Sequence, residues 1–254
     1  MTAAAARRDG AAGGAPLLRL EGASKRFGAL VVIDDLSMHL APGEALGVIG
    51  PNGAGKTTLF NLITGGLAPD AGRVYLEERD VTALSPHQRC RIGLGRSYQI
   101  PHPFVGMSVF ENLLVGASFG AGRPERHCHD LCAGILERTG LIDKANALAG
   151  SLTLLERKQL EMARALASEP RVLLLDEIAG GLTEAECGRL VEHIQDIRAG
   201  GVSVIWIEHI VHALMSVVDR LMVINFGRIV GDGDPATVMA GKDVQQIYMG
   251  ISAE

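Results

Sequence analysis

The run Gly50-Pro51-Asn52-Gly53-Ala54-Gly55-Lys56-Thr57 restricts what this chain can fold into more than any other feature. It fits G-x-x-x-x-G-K-[ST], a loop whose backbone N–H groups close around phosphate oxygens because its glycines carry no Cβ. Such a loop works between a buried strand and a helix N-terminus, whose partial positive charge favours the anion. The flanks meet that demand. Residues 45–49 are an apolar run of strand length, and residues 56–63 read as a helix stopped by Gly65-Gly66. The motif therefore predicts a phosphate site for ATP in a strand–loop–helix unit. Gly50, Asn52, Gly53, Ala54 and Gly55 form the cradle. Lys56 reaches the β- and γ-phosphates, Thr57 the Mg2+ ion and Thr58 a further phosphate oxygen.

A second element matches the first. Val172-Leu173-Leu174-Leu175-Asp176-Glu177 is an apolar strand that delivers two carboxylates at its C-terminal end, where α/β sheets bind ligands. Asp176 is placed to hold Mg2+ through water, and Glu177 to orient and polarise the attacking water. Around these motifs, residues 17–20, 30–40, 171–175 and 202–207 read as strands, and 72–76 with the residues near Val81 as a small hairpin. From Ser85 to about Gly150 the pattern turns helical, with breaks at Pro101, Pro103 and Pro124. Residues 184–199 carry Leu190, Ile194 and Ile197 at helical spacing between two strands, an alternation that predicts a parallel sheet. Residues 221–224 and 228–230 flank Asn225-Phe226-Gly227 as a late hairpin.

Composition narrows the function. The net charge of -5 leaves no basic excess to neutralise phosphates, so no nucleic-acid partner is expected. Hydrophobic residues make up 47%, yet no apolar run approaches the roughly 20 residues of a membrane span. The apolar excess suits a sheet buried on both faces. Residues 1–16 form an Ala/Gly-rich stretch whose Arg7-Arg8 lacks the apolar core of an export signal. It is read as a disordered tail, and the chain as remaining in the cytoplasm. Four cysteines without regular pairing fit a reducing compartment. His127-Cys128-His129-Asp130 and Cys132 lack the second half of a zinc spacing and are read as ordinary helical side chains.

Taken together, the sequence resembles the ABC transporter ATPase family over residues 17–250. Gln99, in Arg96-Ser97-Tyr98-Gln99, matches the family's Q-loop glutamine. Leu152-Thr153-Leu154-Leu155-Glu156 stands at its signature, Gly180-Gly181-Leu182-Thr183 at its D-loop, His209 at its switch histidine and Phe27 at the aromatic residue that stacks on adenine. The resemblance implies an α/β fold: a P-loop NTPase core of ABC ATPase type with an N-terminal antiparallel β subdomain. A helical subdomain, about 85–165, is inserted in a single domain spanning 17–250. It implies that Gln99 touches Mg2+ and the water, that His209 lies near the γ-phosphate, and that Thr153 meets a partner's nucleotide. Three departures stand out. Leu154 and Leu155 replace two glycines, Ile178 a proline and Thr183 an aspartate. Glu156, the last signature residue, is expected to bring a negative charge towards a partner's polyphosphate.

Within the family the sequence resembles the ATPase subunits of branched-chain amino-acid importers. Val109-Phe110-Glu111-Asn112-Leu113-Leu114-Val115, the stretch ending at Gln99, and residues from Asn225 to Gly250 carry this likeness. It implies two transmembrane permease subunits, a second ABC ATPase subunit in a homo- or heterodimer, and a periplasmic binding protein met indirectly. The place implied is the cytoplasmic face of the inner membrane, with the region around 104–114 against a permease. Two alternatives remain: a regulatory subunit that hydrolyses ATP weakly, and a soluble ABC ATPase without a transport role. The second kind carries a long coiled-coil insertion or a second ATPase domain, and this sequence has neither.

Overall fold

A computed structural model describes residues 15–249. The tail expected over 1–16 falls mostly on residues 1–14, which lie outside the described residues, as does Gly250. Among the described residues there are ten strands: β1 Leu18–Phe27, β2 Leu30–Leu40, β3 Ala45–Ile49, β4 Ala71–Leu76, β5 Arg79–Asp80, β6 Leu94–Arg96, β7 Val172–Asp176, β8 Ser203–Ile207, β9 Arg220–Asn225 and β10 Arg228–Gly233. They build an antiparallel sheet in the order β2-β1-β4-β5 and a six-stranded sheet in the order β10-β9-β3-β8-β7-β6. In the larger sheet only the β9–β10 hairpin is antiparallel. The α-helices are α1 Lys56–Thr64, α2 Pro86–Arg91, α3 Val109–Val115, α4 His129–Arg138, α5 Leu154–Ala167, α6 Glu184–Ala199, α7 Val211–Met215, α8 Pro235–Met239 and α9 Lys242–Met249.

The apolar runs behave as strands buried on both faces must. Side chains alternate across a strand, so Leu173, Leu175, Val204 and Trp206 enter one core with α3 to α7. Val172, Leu174, Ile205 and Ile207 enter the other, with α1 and the antiparallel sheet. The alternation leaves no polar face to read, which is why these strands look like uniform apolar runs.

Two sequence expectations need correction. β1 continues to Phe27 instead of ending at Leu20, because register shifts after Leu20 and Ala23 keep it paired with β2. β6 interrupts the stretch from Ser85 that has a helical pattern, pairing in parallel with β7 from Leu94↔Val172 to Arg96↔Leu174. Three residues are too few for periodicity to separate a strand from a helix turn.

α1 is locked at its far end by Arg89. This guanidinium is almost fully buried. It donates to the carbonyls of Leu62, Ile63, Thr82 and Leu84 at 2.7–3.1 Å. A cation satisfying the last carbonyls of a helix also favours the helix dipole. Burial pulls its pKa down to about 10. The sheet then sets out the site: β3, β8, β7 and β6 are successive neighbours, and their C-terminal ends lead into the P-loop, His209, Asp176-Glu177 and Gln99.

Candidate nucleotide-binding site

The P-loop crosses from β3 to α1 under tight steric constraint. Gly55 has φ +105°, and a Cβ there would stand 2.7 Å from the Val32 carbonyl oxygen. A Cβ on Gly50 would stand 2.2 Å from the Ile224 carbonyl oxygen. The loop can therefore take this path only with glycine at both positions. A cavity of about 180 Å³ opens above it, lined by Asn52, Gly53, Gly55, Lys56, Thr57 and Thr58, with Glu177 and Val32 across from them. Gly50 and Ala54 shape the loop from behind, Ala54 being buried.

Lys56 is 7% exposed. Its ammonium donates to the carbonyls of Gly50 at 2.7 Å and Pro51 at 3.1 Å. Burial pushes its pKa down, while the charges of Glu177 and Asp176 pull it back up. The lysine is thus stored against its own loop, and phosphate oxygens are better acceptors for it than neutral carbonyls. The donor set also fits Mg2+, which takes hard oxygen ligands from one or two carboxylates, hydroxyls and substrate phosphates. Thr57 lines the cavity, and Asp176 ends β7 beside Glu177, the carboxylate that lines it.

The carboxylates are held from the neighbouring strand. Arg96 donates to Asp176 Oδ2 at 2.6 Å, and the Gln99 amide donates to Glu177 Oε2 at 2.6 Å. Glu177 sits at φ +46°, a left-handed conformation that costs a non-glycine residue of order 1–3 kcal/mol. Ile178, where the family has proline, is fully packed in the core. His209 lies on the same side, its Cε1 3.8 Å from a Cβ placed on Gly180. Its backbone is fixed by the buried Glu208 carboxylate, which accepts from the N–H groups of His209 at 2.9 Å and Ala179 at 2.8 Å. Lys158 on α5 adds a buried positive charge, its pKa lowered by burial and raised by Glu208 and Glu177.

Thr153 and Phe27 lie apart from this cavity's lining. Thr153 is the N-cap of α5, its hydroxyl accepting from the Glu156 N–H, while the Glu156 carboxylate accepts from the Thr153 N–H at 2.8 Å. Lys144 adds an ion pair to Glu156 at 3.5 Å. The Glu156 charge is therefore turned back onto its own helix, and those hydrogen bonds hold its pKa down. It does not project as a free charge, contrary to the sequence expectation. Leu155 is 5% exposed and Leu154 46% exposed. Leu154 Cδ2 lies 3.3 Å from a Cβ placed on Gly181, so the signature and D-loop positions touch within one chain. Thr183 caps α6 in the same way, a task aspartate also performs. Phe27 is half-exposed at the end of β1, with Lys25 Nζ 5.9 Å from its ring.

Sequence reasoning missed Val32, Arg96 and Glu208. Val32 reads as one more strand residue. Arg96 and Glu208 are single charges whose burial no periodicity announces. Cys128 and Cys132 pack in the apolar core with α3 to α5, and His129 meets the Phe110 ring edge-on at 5.5 Å.

Comparison with known proteins gives a consistent picture. The ABC transporter family profile matches residues 33–180. The high-affinity branched-chain amino acid transport ATP-binding protein LivG of Salmonella typhimurium is 36% identical over 250 residues, covering 92% of this chain and 98% of LivG. The lipopolysaccharide export system ATP-binding protein LptB of Acidithiobacillus ferridurans is 34% identical over 241 residues, covering 92% and 97%. The crystal structure of the ADP conformation of MJ1267, an ATP-binding cassette of an ABC transporter, superposes with a TM-score of 0.85 at 31% identity, covering 93% and 99%.

Proposed function

The chain belongs to the ABC transporter family of ATP-binding subunits, and from that premise we propose that it energises import of branched-chain or other hydrophobic amino acids. The observation that carries the ATPase reading is convergence. The P-loop, Asp176-Glu177, Gln99 and His209 meet at the C-terminal ends of four neighbouring parallel strands. The amino-acid cargo rests on the likeness to LivG.

In this reading Lys56 exchanges its loop carbonyls for the β- and γ-phosphates, and Thr58 holds a further phosphate oxygen. Thr57 and Asp176 would hold Mg2+, which would supply positive charge against that building on the transferring phosphoryl group. Glu177 accepts a proton from the attacking water. Gln99 donates to one of the two Glu177 carboxylate oxygens, Oε2, so the other can take that proton. Gln99 would serve Mg2+ and the attacking water, and His209 would lie near the γ-phosphate. Phe27 supports adenine from the end of β1. Thr153 and the α5 N-terminus serve a nucleotide on a second ATPase subunit, where helix polarity favours the anion. We read residues 17–250 as one domain with a helical insertion over about 85–165.

The permease contact is assigned to the segment that follows Gln99. Among the described residues no helix is long and apolar enough to cross a membrane. Two permease subunits, served by a periplasmic binding protein, provide the spans, and this chain sits peripherally on the cytoplasmic face. Ile100, Phe104 and Val105 are exposed apolar residues. The segment is rigid: Phe104 N–H donates to the buried Asn112 at 2.9 Å, and the Arg164 guanidinium lies 5.0 Å from the Phe104 ring centre. Arg164 also donates to the His102 carbonyl, so α5 is tied directly to this surface.

Reconstitution in proteoliposomes with both permeases, the second ATPase and the binding protein tests the reading. ATP-dependent uptake of leucine is expected, and Phe104→Asp should abolish uptake while ATP binding persists. ATP turnover without uptake of any hydrophobic amino acid would refute the cargo assignment. Normal uptake by Phe104→Asp would remove this segment from the interface.

A further inference from the structure

Arg96 links the two halves of the nucleotide site, and the sequence motifs assign it no role of its own. It ends β6, three residues before Gln99. Its side chain is 8% exposed and so is almost wholly withdrawn from water. One nitrogen donates to Asp176 Oδ2 on β7, and the other to Asn61 Oδ1 on α1, both at 2.6 Å. The rings of Phe60 and Tyr98 flank the guanidinium, with centres 5.5 and 4.8 Å away. Its Nε is buried without a partner.

This is a costly arrangement to keep for packing alone. A buried ion pair often contributes no more stability than apolar residues of the same volume. What the arginine provides is geometry. Its planar fork fixes two acceptors relative to each other, which a lysine cannot do. Those acceptors belong to the strand that ends in Asp176 and to the helix that begins with Lys56 and Thr57.

We propose that Arg96 is a positioning residue for the metal-side carboxylate: by bridging Asp176 and Asn61 it sets the placing of Asp176 against Thr57. Because Arg96 lies on the strand that runs out to Gln99, a shift of that strand is felt at Asp176. The proposal rests on the reading of Asp176 as the carboxylate that faces Mg2+.

The test is binding, not turnover. Mg2+ is titrated into the full-length chain with a fluorescent ATP analogue present, and analogue affinity is measured separately in EDTA. Losing a partner that orients a metal-binding carboxylate typically costs 10–100-fold in metal affinity. Arg96→Gln should weaken Mg2+ by about that factor and leave the EDTA affinity unchanged. Arg96→Lys should not rescue it. Asn61→Ala, which keeps the ion pair and loses the bridge, should cause a smaller loss in the same direction. If Arg96→Gln does not fold, Asn61→Ala decides. Unchanged Mg2+ affinity in the variants that fold overturns the proposal. A rise in Arg96→Gln also overturns it, since the guanidinium would then compete with the metal. Asp176→Asn separates the two claims. If it too keeps full Mg2+ affinity, the metal reading of Asp176 fails and the proposal with it. If it loses affinity while the Arg96 and Asn61 variants do not, the proposal alone fails.

Discussion

At the level of single residues, the P-loop lysine is the sharpest case. A glycine-rich loop suggests an exposed lysine, yet Lys56 is buried and bonded to Gly50 and Pro51. These bonds are to neutral carbonyls at the edge of a cavity, so their loss should cost little stability. Lys56→Ala should therefore melt within a few degrees of wild type while ATP affinity falls about tenfold or more, the worth of one charge-assisted hydrogen bond. Isothermal titration with ATP and a melting curve check both parts, and unchanged affinity would show the phosphate assignment to be wrong. Spacing picks out Gly50 to Thr58, Asp176 and Glu177 as a candidate set, and the fold brings Lys56 into the field of both carboxylates. Arg96, Val32 and Glu208 stayed hidden because burial, not spacing, defines them. Glu156 was misread for a related reason. Its charge was visible, but its return to the Thr153 N–H is a property of the helix end.

Among the elements, α1 decides whether the phosphate loop keeps its shape. Its N-terminus is the cradle, and its last carbonyls are held by Arg89. Arg89→Ala strips partners from four carbonyls in a buried setting. The expected cost is about 3 kcal/mol, or roughly 6–12 °C in melting temperature for a domain of this size. Thermal denaturation followed by circular dichroism measures it, and an unchanged midpoint would mean the carbonyls find water. α6 was legible in sequence because it repeats a helical period, and β7 and β8 because they are unbroken apolar runs of strand length. β6 was not, being three residues long, yet it carries Arg96 and leads to Gln99. The element that connects the carboxylates to the segment after Gln99 is thus one with a weak local signal.

On the scale of the whole molecule, the layered α/β fold follows from the P-loop together with strand–helix alternation, and the similarity to MJ1267 agrees with it. In the proposed function the face bearing Thr153 serves a second subunit. The α5 N-terminus is already satisfied by its own capping box, and half-exposed Leu154 stands where the family has glycine. A nucleotide approaching from a partner finds bulk and fewer free N–H groups. We therefore expect an asymmetric pair, in which this chain supplies a full P-loop site and receives a better signature from a different subunit. Alone, it should hydrolyse ATP at about a tenth or less of the rate seen with that subunit and the permeases, since one lost charge-assisted hydrogen bond is worth that much. An ATPase titration with and without partners checks this, and strong cooperative turnover by the homodimer would contradict it.

That the chain is an ATPase whose Glu177 activates water in a site built on its own P-loop is tested most directly by ATP hydrolysis in the assembled transporter. The comparison is between complexes carrying wild-type chain and Glu177→Gln. Glutamine keeps the shape of the side chain but cannot take a proton. ATP binding should persist, and the single-turnover rate at this chain's site should fall by about 10²–10⁴, the usual contribution of a general base. A Glu177→Gln complex that hydrolyses ATP at the wild-type rate would contradict the assignment.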